Sequence, residues 1–227
     1  MERHVEEIEA ELVRRLLAMG GLVEEMIRVG VAALVEGRSD RLPEIHRSEE
    51  QVNGLHLEVD ERILSLIARF QPAASDLRFV MAASRMNADL ERVGDQAVNV
   101  AQNTQAMLAL APGDRLLLDV PRMAELAIAM LRDALDAFAR RDAALADTVI
   151  RRDDEEDRLK KESLYELVRL MQADVSNVPG GVALLLIARN LERIGDHATN
   201  IAEEVIFMVQ GRDIRHPGQT AGAGEGL

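Results

Sequence analysis

Leu90-Glu91-Arg92-Val93-Gly94-Asp95 and Leu191-Glu192-Arg193-Ile194-Gly195-Asp196 are one segment written twice, at an offset of 101 residues (191 minus 90). The register extends well beyond the segment, with Ser75 falling on Ser176, Ala82 on Ala183, Ala97 on Ala198, Asn99 on Asn200 and Ala101 on Ala202. Upstream, Leu55, Glu58, Ile63 and Leu66 fall on Leu159, Glu162, Leu167 and Leu170 at an offset of 104 (159 minus 55). The three-residue difference belongs in the turn between the two aligned segments. A period this long marks a duplicated structural unit, whose nature decides the fold.

The unit reads as three amphipathic helices. In the first half a helix over about 5–36 carries Ile8, Leu12, Leu16, Met19, Val23, Ile27 and Leu34 at helical spacings, and Gly37 is placed to end it. A second starts near Asp40 with Pro43 in its first turn, carries Leu55, Val59, Ile63, Leu66 and Ile67, and stops at Pro72. The third opens with Ser75 as its expected N-cap and runs to about Leu110, where Ala111-Pro112-Gly113-Asp114 breaks the pattern. The same order recurs: a fourth helix from near Pro121 to about Arg140, a fifth carrying Val149, Leu159, Leu164, Leu167 and Leu170, and a sixth from Ser176-Asn177-Val178-Pro179 to about Gln210. The fold expected is all-α, two tandem three-helix bundles over 1–112 and 113–210, followed by a disordered tail over 211–227 that has five glycines and little to bury.

Composition agrees and narrows the function. Of the residues 48% are hydrophobic but only 2% aromatic, so the core is built from strong helix formers. With no cysteine, disulfides and thiolate metal sites are excluded, leaving carboxylate, amide and imidazole as metal ligands. No apolar run reaches the roughly 18 residues of a membrane span, and no basic leader precedes an apolar stretch, so a chain neither exported by that route nor embedded in a bilayer is expected. A formal charge of −13 argues against nucleic acid and favours cations or a basic protein surface.

The chemistry-bearing residues lie on the third helix of each repeat. Residues four apart share a helix face, so Glu91 with Asp95, and Glu192 with Asp196, set like charges side by side at a cost of a few tenths of a kcal/mol. A helical wheel sets Gly94, Ala97 and Ala101 with Leu90 on the core side and turns the carboxylates outward. Gly94 and Gly195 then read as packing residues that admit a neighbouring helix. Antiparallel pairing of the second and third helices brings Glu49, Glu50 and Asn53 level with Glu91 and Asp95, and Asp153, Asp154 and Asp157 close to the level of Glu192 and Asp196. Such hard oxygens suit Mg²⁺ or Mn²⁺, or Fe or Zn where carboxylates bridge ions. His197 offers a nitrogen in the second repeat only, since Gln96 matches it in the first. Intrahelical pairing of Arg92 with Asp95, and of Arg193 with Asp196, would satisfy the aspartates without any metal. No phosphate loop, nucleophile elbow or Glu-x-x-His pair is present, which argues against an enzyme.

Gln71-Pro72-Ala73-Ala74-Ser75-Asp76-Leu77-Arg78, together with 90–99 and 191–200, resembles the signature segments of the PhoU family of phosphate-transport accessory and regulatory proteins. The resemblance covers about residues 5–210. It implies a cytoplasmic, non-enzymatic negative regulator of phosphate uptake and of the phosphate-starvation response. Its implied partners are the ATPase subunit of a phosphate ABC transporter and a sensor histidine kinase, and its implied state is a homodimer. It also implies multinuclear metal binding at Glu91, Asp95, Asp153, Asp157, Glu192 and Asp196, with Glu49 and Asn53 as an imperfect fourth pair. A metal-buffering bundle, or a scaffold with no phosphate link, are the alternatives that residues alone leave open.

Overall fold

The structure, a computed structural model, describes residues 2–110 and 119–215, the side chains of 2–4 excepted. Six helices follow in order: α1 (Glu2–Glu36), α2 (Leu42–Phe70), α3 (Ala74–Leu108), α4 (Val120–Arg140), α5 (Ala143–Ala173) and α6 (Val178–Gln210), with a 3₁₀ turn at Val175–Asn177 before the last. Among the described residues there is no strand. The expected break at 111–114 lies outside the described residues.

Local chemistry accounts for most of the helix ends. Gly37 takes φ 71° after α1, and the Arg38 amide donates back to the Ala33 carbonyl at 3.0 Å, closing the last turn. Pro43, Pro121 and Pro179 sit in first turns, where a missing N–H costs nothing. Asp142 caps α5, its Oδ1 accepting from the amides of Ala144 and Leu145, both at 3.0 Å. Ser75 does not cap α3. The helix begins a residue earlier, so the capping position falls on Ala73 and the Ser75 hydroxyl turns to Asp76 Oδ1 at 3.1 Å.

Each repeat is a three-helix bundle around an aliphatic core. Leu12, Leu16, Met19, Val23, Ile27 and Leu34 of α1 are buried, as their spacing predicts, and so are Val59, Ile63 and Leu66 of α2 and Val149, Leu159 and Leu167 of α5. Ile67 and Leu164, read as core from their spacing, are 38% and 40% exposed, on the flank of their stripes.

The two bundles meet through α3 against α6 and α1 against α4. Arg85 reaches Glu204, Asp89 reaches His197 and Asn200, and Arg78 reaches the Met208 carbonyl. Numbers rising on α3 meet numbers falling on α6, so the two equivalent helices are antiparallel. The same holds across α1 and α4, where Glu24 pairs with Arg132 and Glu9 with Arg141. Gly20 permits this second crossing, because a Cβ there would lie 2.2 Å from Leu135 Cδ1. Phe79 of α3 and Phe138 of α4 stack across the same junction, ring centroids 5.6 Å apart.

The segment after α6 begins packed. Gly211 ends the helix at φ 69°, Ile214 lies against the core, and Arg215 bonds Asp213 and the buried Glu204. The rest of the tail expected to be disordered, 216–227, lies outside the described residues. Glu204 is 3% exposed and accepts from Arg85 at 2.9 and 3.0 Å and from Arg215 at 2.7 Å. Removing one partner of a buried carboxylate leaves charge uncompensated. Arg85→Met should therefore destabilise the protein by about 1–3 kcal/mol in urea unfolding, less than for a fully buried pair because Arg85 is partly solvated.

Candidate functional site

In the second repeat the acids that the spacing singled out stand on the packed helices α5 and α6. Asp153 and Asp157 on α5 lie beside Glu192 and Asp196 on α6, near enough for their charges to act on one another. Burial first, then repulsion from Asp157, Asp154 and Glu192, pushes the Asp153 carboxyl above its usual range, although the Thr199 hydroxyl donates to it at 3.3 Å. Burial also raises Asp196, followed by Glu192 and Asp153, against the opposing charges of Lys160 and His197. Lys160 forms an ion pair with Glu192, so one positive head is already held at the cluster's edge. Among the described residues no three His, Asp or Glu side chains converge as a ready-made metal site.

One member escaped the sequence reading. Glu156 stands between Asp153 and Asp157, is 1% exposed, and neither carboxyl oxygen has a hydrogen-bond partner. Its head is wedged against Gly195, where a Cβ would come within 1.5 Å of Oε2. Burial, then Asp196, Asp153, Glu192 and Asp157, pushes its carboxyl up to about 9. The signal was available: Glu156 follows Val149 by seven and precedes Leu159 by three, a core position. At the 104-residue offset its counterpart is Val52, which lies on Gly94 in the first repeat.

The first repeat is the poorer copy. Val52 and Asn53 stand where the second has Glu156 and Asp157. Glu49 is approached by His46 Nδ1 at 3.4 Å and Glu91 by Arg92 at 3.7 Å; Asp95 and Asn53 are exposed, as are their counterparts Asp196 and Asp157. The Arg92–Asp95 and Arg193–Asp196 pairs, the alternative to a metal, do not form among the described residues. His197 is also committed elsewhere, its Nδ1 lying 2.9 Å from Asp89 Oδ1, an α3 residue that the sequence reading did not single out.

Between the third helices of the two repeats lies a cleft of about 590 Å³, lined by Arg92, Gln96, Asp153, Arg193, Asp196, His197, Thr199 and Asn200. Because α3 and α6 run antiparallel, equivalent residues converge on it: Arg92 with Arg193, and Gln96 with His197. Asp153 and Asp196 therefore open onto the repeat junction, beside a pair of exposed arginines.

The family model described as the PhoU domain matches the chain twice, over residues 16–104 and 120–205, once in each repeat. The chain is 42% identical over 211 residues to a phosphate-specific transport system accessory protein PhoU homologue of Pseudomonas putida, covering 92% of this chain and 82% of that protein. It is 34% identical to the accessory protein PhoU of Escherichia coli over 211 residues, 92% of this chain and 87% of that one. Among solved structures, PhoU from Pseudomonas aeruginosa superposes with a TM-score of 0.85 at 40% identity, covering 90% of this chain and 98% of that one. The phosphate transport system regulatory protein PhoU from Streptococcus pneumoniae gives 0.84 at 26% identity, covering 92% and 99%.

The divergence of the two glycine slots is testable. At Gly94 a Cβ would meet Val52 Cγ1 at 3.5 Å, an ordinary contact. Gly94→Ala should be neutral or stabilise by up to about 1 kcal/mol, the helix-propensity gain. Gly195→Ala must displace the Glu156 head and should cost about 1–3 kcal/mol. In a Glu156→Val background, which recreates the first-repeat pairing, Gly195→Ala should be tolerated, a coupling readable from a double-mutant cycle in urea.

A pH dependence follows as well. Glu156 has its folded value raised from 4.5 to about 9, so folding favours the protonated acid. That contribution is fully present below about 4.5 and is lost as pH rises towards 9. The cation-free protein should melt at progressively lower temperature from pH 6 to pH 9, and Glu156→Gln should flatten the slope.

Proposed function

The chain belongs to the PhoU family, and from that premise we propose that it is a negative regulator of phosphate uptake and of the phosphate-starvation response. It acts without catalysis, as a cytoplasmic adaptor between the ATPase subunit of a phosphate ABC transporter and a sensor histidine kinase. The observation that carries the reading is the presence of the family domain in both repeats, over nearly the whole described chain. Rigid bundles exposing long helix faces suit docking to two partners, and the net charge of −13 favours basic partner surfaces. No helix among the described residues is long and apolar enough to cross a membrane, in keeping with contact through partners. Assembly as a homodimer is part of the same reading.

The acidic cluster is proposed as the cation centre of this regulator. Asp153, Asp157, Glu192 and Asp196 would hold the ion in the second repeat, and Glu91, Asp95 and Glu49 with Asn53 form its weaker counterpart in the first. Their donors are hard oxygens, which fit Mg²⁺, Mn²⁺, Fe or Zn bridged by carboxylates. Three of the second-repeat acids, Asp153, Glu156 and Asp196, are held above their usual range by desolvation and then by neighbouring carboxylates, and a bound cation would offset that repulsion. The bound ion would supply charge neutralisation and would rigidify α5 against α6. The same cluster would serve a metal-buffering role, which is the second reading.

Deletion of the gene should switch on a phosphate-starvation reporter in phosphate-replete medium, and the intact chain supplied in trans should silence it. The tagged protein should retain the transporter ATPase and the kinase on affinity resin. An unchanged reporter, with neither partner retained, would sink the adaptor reading. Regulation lost on metal removal while partner binding persists would favour buffering.

A further inference from the structure

Glu156 poses a problem that neither the fold nor the Glu-x-x-x-Asp spacing explains. It occupies a core position on α5, is 1% exposed, and has no hydrogen bond to either oxygen. The charged groups acting on it are the carboxylates of Asp196, Asp153, Glu192 and Asp157. A buried carboxyl without a partner is costly in either protonation state. An apolar side chain fills the equivalent place in the first repeat, where Val52 lies against Gly94. Valine at 156 would remove both the burial cost and the repulsion.

The surroundings indicate what offsets the cost. Four carboxylates of α5 and α6 lie within electrostatic reach of Glu156, and one ammonium, Lys160, is engaged by Glu192 at the edge. The donors are hard oxygens on two packed helices, and the remaining charge calls for a cation carrying more than one positive charge. Because no three acids are already gathered around a point, loading such a cation requires side-chain movement. Glu156 has no hydrogen bond to break in moving, and its three-carbon stem lets the head shift without moving the helix. Its seat depends on the missing side chain of Gly195, so slot and carboxyl belong to one device absent from the first repeat.

We propose that Glu156 is a divalent-cation ligand particular to the second repeat, adding from the buried side a carboxylate to those of Asp153, Asp157, Glu192 and Asp196. This rests on the cation reading of the cluster given above. It makes the two repeats unequal: the second takes a hard divalent cation such as Mn²⁺ tightly and the first does not.

The test uses the full chain, stripped with chelator, titrated with Mn²⁺ and read by the electron paramagnetic resonance signal of the free ion, with melting temperatures taken before and after loading. Wild type should take up Mn²⁺ and melt higher when loaded. Glu156→Val and Glu156→Gln should each bind about tenfold more weakly or worse, and cation-free Glu156→Val should melt above wild type. Glu166→Gln, the same charge change at an exposed α5 position, should bind like wild type. If Glu156→Val fails to fold, the nearly isosteric glutamine variant decides. Unchanged Mn²⁺ affinity in the Glu156 variants would overturn the proposal and leave Glu156 a buried neutral acid, with the cation reading intact. No uptake by wild type at millimolar Mn²⁺ would overturn the cation reading and this proposal together. The reporter and affinity experiments on the regulator are independent of either result.

Discussion

Antiparallel packing of α3 against α6 is the constraint on which the rest of this molecule depends. The two helices descend from one ancestral segment, and placing them head to tail against each other brings equivalent residues to a common junction. Both helices are apolar where they are covered: Leu90, Val93, Ala97, Leu191, Ile194 and Ala198 are all buried. Polar pairs fix the register, with Arg85 on Glu204, and Asp89 on His197 and Asn200. Such pairs contribute less to stability than to uniqueness, since a slip of one turn would part Glu204 from Arg85 and leave it Arg215 alone. The cleft bearing Arg92 and Arg193 is a consequence of this crossing and of neither bundle alone.

Duplication supplied two copies of the same framework, and substitution then separated them. At the slot beneath the third helix the first copy keeps Val52 over a glycine that has room to spare, whereas the second drives Glu156 into a glycine that has none. The neighbouring place changed from Asn53 to Asp157, and the His56 position became Lys160. Further along, Asn103 of the first copy, bonded to its own helix at the Asn99 carbonyl, became Glu204, which ties the two bundles and the segment after α6 together. The first copy thus reads as the apolar, structural version and the second as the charged one. The asymmetry is invisible in the helices themselves.

Electrostatics explains why the charged copy is confined as it is. An acidic chain gains solubility from its surface charge but is strained wherever like charges are crowded and desolvated. Elsewhere the acids of this protein are diluted by arginines: Glu11 pairs with Arg14 and Arg15, Glu24 with Arg132, Glu9 with Arg141, and Asp133 with Arg152. Around Glu156 the dilution is weaker: among the described residues no basic side chain pairs with Glu156, Asp153 or Asp157, and Lys160 pairs with Glu192. That local deficit of positive charge, and not the overall acidity, marks the second repeat as the place where a cation would matter.

Much of this was legible in the sequence. The duplication, the six helices and most of their core positions follow from offsets and from the spacing of Leu, Ile, Val and Met, because period and propensity are local properties. The outward turn of Asp95 and Asp196 follows from a helical wheel, and so does the small-residue face at Gly94 and Gly195. What the sequence did not decide depends on contacts between distant segments. Ser75 falls inside α3 and not at its cap, Ile67 and Leu164 lie on the exposed flank of their stripes, and His197 is claimed by Asp89 from the other repeat. Glu156 was written at a core position in plain view. That its carboxyl is seated without a partner could be known only once α5 was laid on α6, since a hydrogen bond and a desolvated charge are properties of the packed surfaces, not of the chain.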